Sequence, residues 1–397
     1  MALPPLVDIG PELDATEAAR TARQRRLPQL GEVGQRRLAT ARVLVLGAGA
    51  LGSPALLYLA AAGVGTVGIV DDDVVELSNL QRQILHSTTD LGRPKTASAA
   101  EAVTALAPCI TVIQHTERLD SANAARILGG YDLVIDGTDN FAARYLINDV
   151  CASLGLPLVW GSVLRFDAQI SVFWASPPAE SGIRGVQLRD LYPVPPSEGE
   201  VPNCAEAGVL GALCGQVGSL MATEAVKLIT GIGDPLIGRV LVIDALASRY
   251  TEVPLRGSGI PVVPLGDAVR HGLPAAGSAP TPTPTPWPSI TVDELDRRTT
   301  AREQGRDSFV VVDVREPSEH AESAIPNSLL LPLDALLTPE GRAELPTDVP
   351  LVLHCHRGSR AAQAASALTE AGFTDLTVLT GGIVAWNARR AELGSPA

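Results

Sequence analysis

The stretch VLVLGAGALGSPALLYLAAAGVGTVGIVDDDVVELSNLQRQILHSTTDLGRPK, residues 43–95, decides the fold of this chain. It opens with an apolar run, Val43–Leu46, which is followed by a glycine-rich turn at Gly47–Gly52. A second apolar run, Thr66–Val70, ends at Asp71. The pattern predicts a strand, a tight turn, a helix and a second strand that carries a carboxylate at its tip. Such a unit binds a nucleotide, because the turn lets phosphate approach the N–H groups that open the helix.

The residue types in the turn indicate where each part of a nucleotide would bind. Gly47, Gly49 and Gly52 allow the turn, and phosphate would contact the backbone from Ala50 to Gly52. Asp71 lies 19 positions after Gly52, where a carboxylate accepts hydrogen bonds from ribose hydroxyls. Dinucleotide-dependent oxidoreductases share this pattern, and a purely structural turn is a third reading, so the turn alone does not separate these classes.

Cations after the carboxylate favour a triphosphate over a nicotinamide. Arg82 and Lys95 both follow Asp71, and hydride transfer needs no such cluster. The motif DGTDN at Asp136–Asn140 ends another predicted strand. At the carboxyl edge of a parallel sheet, Asp139 could hold Mg²⁺ against the phosphates. Asp139 also suits the N-cap of the helix that follows, and the two roles are compatible.

The composition argues against several classes of function. The chain has 397 residues and a formal net charge of −13, without a long basic run, so nucleic acid and anionic membranes are poor partners. No apolar run reaches the roughly 18 residues of a membrane span, and the N-terminus lacks the pattern of a signal peptide. The five cysteines form no C-x-x-C pair, which argues against a disulfide framework. We expect a cytoplasmic protein.

Alternating apolar and amphipathic segments predict an α/β fold, a Rossmann-like, doubly wound and mainly parallel sheet. Further strands are predicted at Ile110–Gln114, Leu133–Asp136, Pro157–Trp160, Gln169–Trp174 and Val240–Asp244. Helices are predicted at Glu32–Thr40, Thr96–Leu106, Ser121–Leu128, Ala142–Leu154 and Leu210–Ile229. Within this domain, Cys109, Cys151 and Cys214 are predicted to be core residues.

A proline- and threonine-rich stretch at residues 274–288 marks a domain boundary, because its composition cannot build a core and favours an extended spacer. We predict a first domain at residues 1–265, a linker at 266–288 and a second, smaller α/β domain at 289–397. The second domain is predicted to contain strands Phe309–Val314, Leu351–His354 and Leu376–Leu379 and a helix Ala361–Ala371.

Five motifs of the first domain together resemble the ThiF/MoeB family, the prokaryotic relatives of ubiquitin-activating enzymes. They are GAGALGSP, VDDDVVELSNLQRQ, GRPK, DGTDN and NCAEAGVLG, in family order between about Arg20 and Leu255. The resemblance implies that the chain binds Mg-ATP. It also implies that the C-terminal glycine carboxylate of a ubiquitin-like sulfur-carrier protein ending in Gly-Gly attacks the α-phosphate, forming an acyl-adenylate and pyrophosphate.

The resemblance also assigns site residues. Asp71 would bind the ribose, Lys95 a phosphate and Asp139 the magnesium ion. The other residues expected at the nucleotide are Gly47, Gly49, Ala50, Gly52, Ser78, Asn79, Leu80, Gln81, Arg82 and Asn140. Family members are dimers in which an N-terminal arginine reaches the partner's nucleotide. Arg23 matches that position, so a homodimer is expected.

Two features depart from or extend the family pattern. Many relatives bind a structural zinc through two C-x-x-C pairs, but the corresponding positions here are Gln187, Asp190, Ile260 and Val263, so no zinc is expected. Cys204 lies between a long proline- and glycine-rich excursion and a helix, where a thiolate could be activated. In relatives this cysteine is linked to a covalent carrier intermediate, and an inert thiol is the alternative.

The motif HCHRGSRA at His354–Ala361 lies between a predicted strand and a predicted helix. Backbone N–H groups from His356 to Arg360 could surround the sulfur of Cys355. The helix N-terminus and Arg360 would lower the pKa of the Cys355 thiol, which makes both residues candidates for catalysis.

With VDVRE (residues 312–316) and GGIVAW (381–386), this motif resembles the rhodanese domain over about Ile290–Arg390. The resemblance implies that Cys355 carries a persulfide. The rival is a cysteine phosphatase, whose loop needs five residues between cysteine and arginine, whereas this chain has four.

We therefore predict an ATP-dependent adenylyltransferase fused to a rhodanese domain. It would activate the carrier C-terminus and transfer sulfur from Cys355 to form a thiocarboxylate, with a separate sulfur donor supplying the persulfide. Two alternatives stay open, an NAD-type oxidoreductase fused to a sulfurtransferase and a non-catalytic protein that only docks carriers.

Overall fold

A computed structural model of the chain describes residues 3–195, 208–262, 287–356 and 358–392. These residues belong to two compact units, the first before residue 263 and the second after residue 286. In the described part of the chain, every helix is too short or too polar to cross a membrane. The predicted linker, residues 266–288, lies outside the described residues up to residue 286, and its limits stay a prediction.

The first unit is built on one sheet of eight strands in the order β3-β2-β1-β4-β5-β6-β7-β8. The strands are β1 (Arg42–Leu46), β2 (Thr66–Val70), β3 (Thr111–His115), β4 (Leu133–Asp136), β5 (Leu158–Leu164), β6 (Asp167–Phe173), β7 (Arg239–Asp244) and β8 (Arg249–Pro254). The first five in spatial order pair in parallel, and β6, β7 and β8 extend the sheet in antiparallel fashion. The prediction of a mainly parallel α/β sheet is confirmed.

Helices cover both faces of this sheet. They are α1 (Ala15–Arg20), α2 (Gly31–Thr40), α3 (Gly52–Ala62), α4 (Lys95–Leu106), α5 (Ala124–Leu128), α6 (Phe141–Leu154), α7 (Leu188–Leu191) and α8 (Gly211–Thr230). Val43 and Val45 of β1 pack in a hydrophobic cluster with α2, α3, α4 and α8. Leu44 and Leu46 pack in a second cluster with α5 and α6. Because residues 43–46 of β1 are buried on both faces of the sheet, they form an unbroken apolar run.

The second unit contains a parallel sheet of five strands in the order β11-β10-β12-β13-β9. Its strands are β9 (Ser289–Ile290), β10 (Val310–Asp313), β11 (Leu329–Leu330), β12 (Leu351–His354) and β13 (Leu376–Leu379). Its helices are α9 (Val292–Glu303), α10 (Pro317–Glu322), α11 (Leu333–Leu336), α12 (Pro339–Arg342), α13 (Ser359–Glu370) and α14 (Gly382–Glu392). The loop between β12 and α13 holds Cys355, as the sequence predicted.

Candidate active sites

A cleft of about 390 Å³ opens at the carboxyl ends of β1, β2 and β4 in the first unit. Ligands of open α/β sheets bind at this edge, where loops replace the strands. The predicted site residues that line it are Gly47, Gly49, Ala50, Asp71, Arg82, Lys95, Asp139 and Asn140. Residues from four separate sequence motifs therefore meet in one cleft.

The glycine-rich turn is possible only with glycine at two of its positions. Gly47 has a φ of +87°, which side chains disfavour, and its N–H donates to Val70 O at 2.8 Å. A Cβ on Gly52 would lie 1.8 Å from Gly47 O, so Gly52 allows the first turn of α3 to pack against the turn. Gly52 is a structural part of the turn and does not line the cleft.

The Asp71 carboxylate lies at the tip of β2, held by two backbone donors. Its oxygens accept hydrogen bonds from Ala48 N at 2.8 Å and from Asp73 N at 2.9 Å. Burial raises the pKa of Asp71 above its ordinary value, although the Lys95 ammonium and the two N–H donors act in the opposite sense. The side chain is fixed in position and lines the cleft.

Lys95 has a counter-ion that the sequence reasoning missed. Its Nζ lies 2.8 Å from Asp73 Oδ2, and only 7% of the Lys95 side chain is exposed. An ammonium has three N–H donors, so one bond to Asp73 leaves two for a phosphate. The run of three aspartates at residues 71–73 was the available signal for this partner.

Two further cations line the cleft without having been predicted. Arg118 follows β3 and is exposed. Arg144 is buried on α6, donates to Thr138 O at 2.9 Å and packs over the Trp160 ring. Both could have been found by asking which charged residues follow strands or begin helices at the carboxyl edge of the sheet.

The two carboxylates of the DGTDN loop lie in different environments, one buried and one exposed. Asp136 is fully buried and accepts hydrogen bonds from Thr138 N and Oγ1, and burial raises its pKa. Asn140 caps α6, since its side chain accepts from Ala143 N at 2.8 Å. The predicted cap at Asp139 is therefore wrong by one residue. Asp139 is exposed and makes no hydrogen bond or ion pair within the described part of the chain.

The remaining predicted residues of the first unit do not line the cleft. The segment that directly precedes Arg82 in the sequence contains Ser78, Asn79, Leu80 and Gln81. The Nη1 of Arg82 donates a hydrogen bond to Ser78 O at 3.0 Å. Asn79 is buried and accepts from Gln83 Nε2 at 2.8 Å, and Gln83 does line the cleft. Arg23 is exposed directly before the short helix Gln24–Arg26 and does not line the cleft of its own chain.

The positions that match the zinc ligands of relatives are joined by hydrogen bonds. Gln187 Nε2 donates to Ile260 O at 2.9 Å. Asp190 Oδ1 accepts from Ser258 N at 2.7 Å and from Ser258 Oγ at 2.5 Å. These bonds connect α7 to the segment after β8, and Val263 lies outside the described residues.

In the second unit, Cys355 is fully buried at the end of β12. Its Sγ accepts a hydrogen bond from Gly358 N at 3.0 Å, and Gly358 has a φ of +125° that only glycine adopts readily. The N–H of Ile383, in the first turn of α14, donates to Cys355 O at 2.9 Å. Among the described residues, Gly358 supplies one contact to the sulfur from the N–H groups predicted to surround it, and the rest of that prediction stays a prediction.

Arg360 forms a two-point ion pair that sequence reasoning missed. Its Nη1 and Nη2 lie 2.6 and 2.7 Å from the two carboxylate oxygens of Glu319 on α10. Below the loop, buried Asp313 accepts from Arg315 and from His320 Nδ1. The His354 ring lies 3.7 Å from the same carboxylate. Residues 312–320, which include VDVRE, therefore supply the carboxylates that lie next to Arg360 and His354 on either side of Cys355.

The predictions for the other cysteines are confirmed at some positions and wrong at another. Cys151 and Cys214 are buried, as predicted, whereas Cys109 is exposed because it follows the end of α4, so its assignment to the core was wrong. Cys204 lies outside the described residues, and its catalytic role stays a prediction.

Comparison with known proteins identifies two families in this chain. Residues 21–259 match the ThiF family, and residues 291–389 match the rhodanese-like domain. The probable adenylyltransferase/sulfurtransferase MoeZ of Mycobacterium tuberculosis (strain CDC 1551 / Oshkosh) is 48% identical, over 97% of this chain and 96% of that protein. The adenylyltransferase and sulfurtransferase MOCS3 of Arabidopsis thaliana is 35% identical, over 95% of this chain and 84% of that protein.

A solved structure supports the fold of the first unit. Escherichia coli MccB with succinimide superposes with a TM-score of 0.52 at 18% identity, covering 62% of this chain and 73% of MccB. The resemblance inferred from the five motifs and from the Cys355 loop is confirmed by these matches. The chain therefore belongs to the ThiF family, and within it to the members that join this fold to a rhodanese-like domain.

Proposed function

We propose that the first unit uses ATP to adenylate the C-terminal glycine of a ubiquitin-like sulfur-carrier protein, and that the second unit then transfers sulfur to the activated glycine. One observation carries the proposal. Arg82, Lys95 and Asp139, three residues distant in sequence, line the same cleft as the glycine-rich turn and Asp71. This arrangement suits a triphosphate, because cations and turn N–H groups meet beside a ribose-binding carboxylate.

In the adenylation step, the carrier carboxylate attacks the α-phosphate and pyrophosphate leaves. Asp71 would accept the ribose hydroxyls, while Arg82 and Lys95 would stabilise the charge on the phosphates. Asp139 fits Mg²⁺, because it is an exposed carboxylate on the cleft without a protein partner among the described residues. Magnesium would neutralise phosphate charge there. No structural zinc is proposed, because Gln187 and Asp190 stand where relatives place cysteines.

In the sulfur-transfer step, the outer sulfur of a Cys355 persulfide attacks the acyl carbon and AMP leaves. The product is an acyl disulfide on Cys355. A second thiol then attacks the Cys355 sulfur, which releases the thiocarboxylate and leaves a disulfide between that thiol and Cys355. The Gly358 N–H would stabilise the sulfur, and the Glu319–Arg360 pair would hold the start of α13. A persulfide donor of separate origin, a homodimer in which Arg23 reaches the partner's cleft, and a role for Cys204 belong to the same proposal.

The test is ATP–pyrophosphate exchange in the presence of a carrier ending in Gly-Gly. Exchange is expected with the full chain and should fall at least about 100-fold in Lys95→Met, because a phosphate-binding cation is lost. Lys227 is the only other lysine of the chain and pairs with Glu224 on α8, so Lys227→Met is the matched control and should retain exchange. Absence of exchange with the unaltered chain would contradict the proposal.

The same experiment separates the alternatives. A docking protein would bind the carrier without exchange, and an oxidoreductase would bind NAD in place of ATP. The relatives that match nearly the whole chain are named adenylyltransferases and sulfurtransferases, which supports the proposed activity over both alternatives.

A further inference from the structure

His86 is a buried imidazole that connects two walls of the nucleotide cleft. Its Nε2 lies 2.9 Å from Ala48 O, in the glycine-rich turn, and its Nδ1 lies 2.8 Å from Ser98 Oγ, on α4. A carbonyl oxygen only accepts hydrogen bonds, so Nε2 carries the hydrogen and donates to Ala48. Burial lowers the pKa of His86. The Ser98 hydroxyl beside Nδ1 is also hydrogen-bonded to the Asp90 carboxylate.

The bond to Ala48 O fixes the direction of the next N–H group. The peptide that joins Ala48 and Gly49 is planar and trans, so its C=O and its N–H point in opposite directions. The carbonyl points at the buried ring of His86, and the N–H of Gly49 therefore points away from it. Gly49 lines the cleft, and its N–H has no acceptor among the described residues.

The neighbouring peptide is fixed as well. The N–H of Ala48 donates to Asp71 Oδ2, so both polar groups of Ala48 are engaged, one by Asp71 and the other by His86. Through Ser98, the same ring is tied to α4, whose first residue is Lys95. His86 thus connects the glycine-rich turn to α4, the helix that begins at Lys95. The turn residue that it contacts, Ala48, also donates to Asp71.

We propose that His86 is a positioning residue that aims the Gly49 N–H at a phosphate of the bound nucleotide. This inference rests on the proposed function, since it requires a phosphorylated ligand in the cleft. His86 itself would not touch the ligand. It holds the Gly49 N–H in the orientation that a phosphate requires before the ligand binds. Binding then does not have to order the turn, which lowers its entropic cost.

The test is calorimetric titration of ATP and of adenosine into the full chain and three variants. His86→Leu keeps apolar packing and removes the donor, so the Kd for ATP should rise about tenfold, the usual effect of losing a hydrogen bond to a charged group. The Kd for adenosine, which lacks phosphate, should change by less than about twofold. His86→Gln, whose amide can still donate to Ala48 O, should restore most of the ATP affinity.

Ser98→Ala provides an independent measurement that leaves the imidazole in place. The loss of one ring contact should weaken ATP binding by a few-fold, and the double variant with His86→Leu should be no worse than His86→Leu alone, because the two residues act in series. Unchanged ATP affinity in His86→Leu, or an equal loss for ATP and adenosine, would overturn the inference. If His86→Leu fails to fold, unchanged ATP affinity in Ser98→Ala overturns it. Failure of the unaltered chain to bind ATP would instead count against the proposed function.

Discussion

At the scale of single residues, His354 is a fully buried imidazole that lies 3.7 Å from the Asp313 carboxylate. Burial lowers its pKa from 6.5 to about 4, although the nearby Asp313 carboxylate acts in the opposite sense. The folded second unit therefore contains a neutral imidazole directly before Cys355, where a charged ring would be poorly solvated.

This shift predicts that the second unit loses stability as the pH falls from about 6.5 to about 4. In that range the unfolded chain binds a proton at His354 and the folded chain does not, so acid favours unfolding, by about 3 kcal/mol at its full extent. Asp313 does not add to this effect, because its pKa is lowered from 3.8 and its contribution is lost only below that value. The measurement is urea unfolding at pH 7 and pH 5, followed by hydrogen exchange in the Leu351–His354 strand.

The control is His354→Leu, which cannot titrate and should show a smaller difference between the two pH values. The pKa of His354 can also be measured directly, from the pH dependence of its imidazole NMR resonance in the folded chain. A midpoint near 6.5 for that resonance would contradict the prediction.

Sequence reasoning found the residues whose roles follow from spacing and missed those whose roles follow from contact. Asp71 and Lys95 were recognisable because a motif fixes their distance from the glycine-rich turn. The roles of three other residues could not be recognised in the sequence, because their contacts with the site depend on how the loops fold. These residues are Asp73, Arg118 and His86. The cap of α6 was placed one residue early, since Asp139 and Asn140 are both common N-caps and only the backbone geometry separates them.

At the scale of elements, α7 and the segment after β8 are joined at the positions that the family resemblance matches to two pairs of zinc-binding cysteines. Asp190 accepts hydrogen bonds from Gln187 N at 2.8 Å and from both the N–H and the hydroxyl of Ser258. Its carboxylate therefore caps α7 and accepts hydrogen bonds from the segment that follows β8. Hydrogen bonds to a charged acceptor are stronger than those between neutral groups, so this side chain can hold the two elements together.

We predict that Asp190→Ala lowers the stability of the first unit by about 2 kcal/mol, because several bonds to one carboxylate are lost at a half-buried position. For a unit of this size the Tm should fall by about 4 to 8 °C. Asp8→Ala is the matched control, since Asp8 is exposed and makes no hydrogen bond or ion pair within the described residues. EDTA should leave the Tm of the unaltered chain unchanged. A drop in Tm with EDTA would show a bound metal and contradict this prediction.

The elements that sequence reasoning found are those with a strong apolar pattern. Strands β1, β2 and β4 were predicted within a residue, because both of their faces lie in the core. Strand β5 extends four residues beyond its predicted end at Trp160. β8 was missed, because all six of its residues are exposed and its sequence carries no apolar alternation. The helix Val292–Glu303 was missed for the same reason, since only Leu295 of its twelve residues is buried.

At the scale of the whole molecule, two chemistries are carried on one chain, and the sequence between them is rich in proline and threonine. Such a stretch favours an extended spacer that keeps two units within reach of each other without fixing them. Tethering replaces an encounter between molecules by an intramolecular one, at an effective concentration of order mM for a short linker. We therefore expect the fusion to act on the rate of sulfur transfer.

This argument predicts the behaviour of a mixture of two full-length variants. Cys355→Ala should retain ATP–pyrophosphate exchange but form no thiocarboxylate, whereas Lys95→Met should load a persulfide but fail to adenylate. Mixed at about 1 µM, the two chains supply both chemistries, yet thiocarboxylate should form about 100-fold or more slowly than with the unaltered chain, because the tether no longer joins the reacting groups. The rate should rise in proportion to the concentration of Lys95→Met, as expected for a step between separate molecules. A mixture that matches the unaltered chain at 1 µM would show that the spacer gives no kinetic advantage and that sulfur transfer occurs between chains.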